Sequence, residues 1–245
     1  MGFLDGPTPY AFAHRGFSPD GAENTLAAFQ RAIDLGYTYL ETDVQVTADG
    51  VALAFHDDTL DRLTDRRGRI AELPWDDVRR ARVRGREPIP LLADVLATWP
   101  QARINLDMKS ARAVPATIDV VRRTNSVERI CIASFRTRRI VAAQRALGPR
   151  LCTAYGPGAV VALRLAGRAR GRGAACIEAP VSVGGRAFVD ARYVRAARRT
   201  GLPLIGYTAD DPAEIARLLD LGVDGLMTDR ADVLRAVLQE RGQWR

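Results

Sequence analysis

Short apolar runs alternate with segments of helical period along nearly the whole chain. Eight runs read as strands, at residues 10–14, 39–46, 103–109, 129–135, 150–155, 174–180, 203–208 and 225–228. A further run at 51–56 reads as an extension of the second unit. Between them, residues 25–35, 91–98, 113–124, 136–147, 158–169, 190–200, 212–221 and 231–241 carry apolar positions spaced three and four apart, as in Ile215, Leu218 and Leu219. Helix boundaries are marked too: Asp211 before Pro212 starts one helix, and Gly222 ends it. Regular alternation of strand and helix implies parallel strands with crossover helices. About eight such units predict an α/β chain folded as a (β/α)8 TIM barrel. A doubly wound open sheet is the competing arrangement. The one long irregular stretch, residues 57–90, is rich in charge and turn residues. It is expected to be a small insertion after the second strand, within a single domain spanning 1–245.

Composition narrows this picture without changing it. A length of 245 residues suits one barrel of roughly 250 residues better than two small domains. Hydrophobic residues at 47% and charged residues at 27% match soluble globular proteins. No run approaches the ~18 apolar residues of a membrane span. Residues 1–9 lack the basic and apolar regions of a secretory signal, and Gly6 stands where a myristoylation motif needs Ser or Thr. The expectation is a cytoplasmic protein without stable membrane anchoring. The formal charge is +7, almost all of it from arginine, with Lys109 the only lysine. Positive charge attracts anions. The densest basic run, 164–172, lacks interleaved aromatics, so nucleic acid is not an expected partner. Cys131, Cys152 and Cys176 each lie in an apolar segment, which favours buried free thiols over disulfides or a metal site.

In such a barrel the chemistry gathers at the C-terminal ends of the strands. Both histidines, His14 and His56, fall at strand ends, and so does Lys109. Glu41 and Asp43 stand two apart on a strand and therefore face the same way. Carboxylates aimed into one mouth repel unless a cation sits between them, and Asp107 on the next strand is a natural third ligand. An all-oxygen set suits a divalent cation such as Mg2+ or Ca2+. Pairing with local arginines is the structural alternative. The histidines can exchange protons near neutral pH, as a displacement reaction requires at its attacking and leaving oxygens. Arg15 and Lys109 supply fixed positive charge for a phosphate-type anion. Asn24 and Thr25 either cap the first helix or belong to the site. Glu23 is either a support for the site or a surface acid.

Taken together, His14-Arg15-Gly16, Pro19, Glu23-Asn24-Thr25, Glu41-x-Asp43 and His56-Asp57 resemble the glycerophosphodiester phosphodiesterase family. The resemblance continues through Asn105-x-Asp107-x-Lys109 and Tyr207-Thr208-x-Asp210 to residues 222–229. It implies a metal-dependent barrel that hydrolyses glycerophosphodiesters to sn-glycerol 3-phosphate and an alcohol. By that resemblance His14 and His56 are the acid–base pair, and Glu41, Asp43 and Asp107 are the metal ligands. Arg15 would then bind phosphate and Lys109 the phosphate or metal-bound oxygens, with Glu23, Asn24 and Tyr207 toward the substrate. Three positions depart from the family pattern: Asp107 replaces the usual Glu, Tyr207 the usual Trp and Asp210 the usual Asn. One alternative is a lysophospholipid or phospholipid phosphodiesterase, which wants an apolar loop that the polar 57–90 stretch does not offer. The other is a catalytically lapsed barrel that binds phosphorylated ligands, which the intact histidines and carboxylates oppose. Small soluble diesters such as glycerophosphocholine are the expected substrates.

Overall fold

The computed structural model describes residues 2–171 and 173–244, so Met1 and Arg172, at the ends of two segments considered above, lie outside the described residues. Eight strands form the barrel: β1 (Tyr10–His14), β2 (Tyr39–Val46), β3 (Arg103–Met108), β4 (Ile130–Ala133), β5 (Cys152–Thr153), β6 (Ile177–Pro180), β7 (Leu204–Tyr207) and β8 (Gly225–Thr228). The helices that follow them in turn are α1 (Leu26–Asp34), α2 (Leu92–Thr98), α3 (Ala113–Arg123), α4 (Thr137–Leu147), α5 (Pro157–Ala166), α6 (Ala191–Arg198), α7 (Pro212–Leu221) and α8 (Ala231–Glu240). Parallel pairing runs β5-β4-β3-β2-β1-β8-β7-β6. A parallel bridge between Ala154 and Cys176 joins the two ends, with Tyr155 N–H donating to the Cys176 carbonyl at 3.0 Å. The sheet therefore closes on itself, and the expected (β/α)8 barrel is the fold.

Local chemistry explains the boundaries. Asp211 caps α7 by accepting from the Glu214 N–H at 3.0 Å, Pro212 supplies a preset φ, and Gly222 ends the helix at φ 84°. Thr25 caps α1 by accepting from the Ala28 N–H. The 51–56 run contributes Ala52–Ala54, which pairs antiparallel with β2 at the edge of the barrel.

Strand alternation sorts every barrel position to one of two sides. Leu40, Val44, Ile104, Leu106 and Ile132 pack outward in the large core beneath the helices. Phe12, Tyr39, Cys131, Cys152, Cys176, Ile205 and Met227 form a second cluster with Phe3 from the N-terminal segment, which packs edge-on against Tyr39. The three cysteines are free and buried, as expected. They also meet: their sulfurs lie within 4.8 Å of one another. Residues 57–90 hold more than scattered apolar side chains, because Leu60, Leu63, Ile70, Val78, Val83 and Ile89 converge with Leu53 and Phe55 into a small core of their own. Among the described residues, no helix is long and apolar enough to cross a membrane.

Candidate active site

The strand parity that buries Phe12, Tyr39 and Cys176 inward carries the next same-face residues toward the C-terminal mouth. There His14, Glu41, Asp43, Asp107 and Glu178 line one cavity of about 500 Å³, together with Arg15, His56, Asn105, Lys109 and Tyr207. Glu41 stands beside Asn105, and Asp43 beside Asp107, in the β2–β3 register. After β1 the chain turns sharply through Arg15 and Gly16, both at positive φ. A Cβ on Gly16 would come within 2.7 Å of the Ala28 backbone, so only glycine lets this loop lie against α1.

Each imidazole is tied down on one side and open on the other. His14 Nδ1 lies 2.6 Å from Asp229 Oδ1, while Nε2 faces Glu41 at 3.7 Å. Burial alone would lower the His14 pKa, but Glu41 and Asp229 outweigh it and hold the pKa above the ordinary imidazole value. His56 Nδ1 lies 2.6 Å from Asp57 Oδ1. The Arg62 guanidinium hydrogen-bonds Asp57 and takes its carboxyl down to about 2, with burial opposing and His56 assisting. Since an ionised carboxylate only accepts, both histidines donate through Nδ1 and keep Nε2 for the cavity.

The carboxylates surround Lys109, whose Nζ lies 2.7 Å from Asp43 and 2.8 Å from Asp107. Asp43 also forms an ion pair with Arg15, whose Nε lies 3.2 Å away, and accepts from the Asn24 amide at 3.0 Å. Burial would raise its pKa, yet Lys109 and Arg15 bring it below the usual carboxylate range. Glu41 goes the other way, pushed up to about 8 by burial and by the Asp43 charge. Asp107 Oδ1 is buried with no hydrogen-bond partner among the described residues.

The structure brings His14, His56, Arg15, Glu41, Asp43, Asp107, Lys109 and Tyr207 to one cavity. Neither Glu23 nor Asn24 lines it. Asn24 is buried behind the carboxylates, where it accepts from Thr42 at 2.7 Å and donates to Asp43. Glu23 links Arg15 and Arg62, at 3.0 and 2.8 Å. Sequence reasoning passed over Glu178, which accepts from Asn105 at 2.8 Å and is pushed up to about 8 by burial. Its signal was available: it is the one charged residue of an otherwise apolar strand. Asp229 ends the 222–229 segment, and nothing in its local sequence identifies His14 as its partner. Asp229→Asn is expected to cost at least about 10-fold in turnover by freeing the His14 ring. It should also lower the His14 pKa, so the pH limb governed by His14 moves to lower pH. An unchanged pH profile would separate Asp229 from His14.

Comparison with known proteins finds relatives along nearly the whole chain. A family model described as the glycerophosphoryl diester phosphodiesterase family matches residues 14–233. A probable glycerophosphodiester phosphodiesterase 2 of Mycobacterium tuberculosis is 39% identical over 243 residues, covering 96% of this chain and 92% of that protein. A glycerophosphodiester phosphodiesterase of Caldanaerobacter subterraneus is 28% identical, covering 94% and 98%. Among solved structures, an Oleispira antarctica phosphodiesterase in complex with the product sn-glycerol-3-phosphate superposes with a TM-score of 0.81 at 23% identity, covering 95% and 97%.

Proposed function

The chain belongs to the glycerophosphoryl diester phosphodiesterase family, and from that premise we propose that it hydrolyses glycerophosphodiesters to sn-glycerol 3-phosphate and an alcohol, with His14 and His56 moving the protons. The observation that carries this reading is the cavity itself, where two imidazoles, each with Nδ1 anchored on a carboxylate, flank a buried cluster of carboxylates and cations. One histidine takes a proton through Nε2 from the water whose oxygen bonds to phosphorus, and the other gives a proton to the alcohol oxygen as its bond to phosphorus breaks. Asp229 and Asp57 keep the rings oriented and stabilise each imidazolium as it forms. Arg15 and Lys109 offset the phosphate charge, and the Tyr207 ring packs on the carbon skeleton.

The donor set fits a hard divalent cation, Mg2+ or Ca2+. Glu41, Asp43 and Asp107 offer only oxygen, and Asp107 Oδ1 has no partner among the described residues. Three carboxylates also exceed the two cations, Arg15 and Lys109, packed among them, and burial followed by the Asp43 charge keeps Glu41 above the usual carboxylate range. These three residues would hold the ion, which when bound neutralises phosphate oxygens and lowers the pKa of a hydroxyl.

The test couples glycerophosphocholine turnover to detection of glycerol 3-phosphate. Treatment with EDTA is expected to abolish product release, and Mg2+ or Ca2+ to restore it. Turnover insensitive to EDTA would remove the cation from the proposal. Absence of glycerol 3-phosphate at saturating cation would remove the reaction.

A further inference from the structure

Four large apolar side chains stand out to solvent among the described residues: Phe135 at 63% exposure, Val161 at 48%, Leu165 at 73% and Val183 at 56%. They come from three separate protrusions, the turn after β4, helix α5, and the hairpin formed by Ser182–Val183 and Arg186–Ala187 after β6. Phe135, Val161 and Val183 all border the mouth of the cavity, and Leu165 lies one turn along α5 from Val161. A solvent-facing helix surface is ordinarily polar. Helix α5 has Arg164 as its single charged residue, and that guanidinium is turned to Asp190 at 2.9 Å. Its exposed positions are Gly158, Val161, Leu165 and Ala166.

Arginines flank each protrusion: Arg136 and Arg138 after Phe135, Arg168 and Arg170 after α5, and Arg186 opposite Val183. All five are exposed, and none forms an ion pair among the described residues, unlike Arg164. Exposed apolar groups ringed by uncommitted positive charge match a surface that offers both an apolar boundary and negative charge. We propose that this rim docks the barrel mouth reversibly onto an anionic lipid surface. The apolar side chains enter the interfacial layer, and the arginines meet lipid phosphates. Because the cavity opens inside the rim, a phosphodiester carried in the lipid layer would face the two histidines. That last consequence rests on the reaction proposed above, whereas docking does not, and its test involves no turnover.

The experiment is co-sedimentation of the full chain with vesicles of phosphatidylcholine alone and of phosphatidylcholine mixed with phosphatidylglycerol. Wild type is expected to sediment with the mixed vesicles, less so as salt is raised. Leu165→Glu and the double variant Arg168→Glu/Arg170→Glu should each weaken partitioning at least about tenfold. Leu165 lies outside the cavity, so Leu165→Glu should turn over soluble glycerophosphocholine at the wild-type rate, which shows that the fold and the site are intact. The proposal is overturned if wild type sediments with neither vesicle, or if Leu165→Glu binds as tightly as wild type. It is also overturned if wild type is a dimer in lipid-free buffer that Leu165→Glu converts to monomer, which would assign the rim to a second copy.

Discussion

His14→Ala and His56→Ala are each expected to lower turnover of glycerophosphocholine by at least about 100-fold, the usual loss when a positioned general acid or base is removed. Both variants should melt close to the wild-type temperature. The two side chains sit at the cavity surface, and neither belongs to the hydrophobic clusters that hold the barrel together. Truncation leaves Asp229 and Asp57 without their imidazole partners. Asp229 is more than half exposed and recovers water, while Asp57 keeps Arg62 at 2.6 Å. Steady-state kinetics with thermal melts checks both parts. Activity near wild type in either variant would take that histidine out of the reaction.

Asp43→Asn is expected to cost on the order of 1000-fold, the upper end for loss of one preorganised electrostatic contact. Asp43 is 1% exposed and serves as the hub for Lys109, Arg15 and Asn24. The amide keeps the shape and can still accept from Asn24, but it removes the charge that balances two cations. Folding stability should fall by roughly 1–3 kcal/mol, because Lys109 and Arg15 retain other carboxylate partners. With the Asp43 charge gone, Glu41 should ionise at lower pH, since that charge is one cause of its raised pKa. Asp107→Glu is the contrasting variant: it keeps an oxygen ligand of the family's usual type and should retain activity within about tenfold, with a changed cation preference. Kinetics across a Mg2+ and Ca2+ titration distinguishes the two. Equal losses in both variants would mean that Asp43 holds no special place in the cluster.

Much of this was written in local patterns. Strand and helix periods are properties of a few consecutive residues, so β1, β2, β8 and α7 run where the apolar spacing places them. The same parity put Glu41 and Asp43 on one face, and the alternation of units put His14, His56 and Lys109 at strand ends. What lay beyond the sequence was partnership through space. Asp229 meets His14 across 215 positions because barrel closure sets β8 beside β1. Glu23 reaches Arg62 only because the insertion folds back over the β1 turn. The apolar residues of 57–90 looked scattered because a core assembled from turns carries no period. For the same reason the rim was invisible: Phe135, Val161, Leu165 and Val183 lie on three connections, and a single exposed apolar residue is ordinary on any surface. Sequence determined which side chains face inward, because that depends on the period of one strand. Tertiary structure decided which of them meet, because contact depends on how all eight strands close.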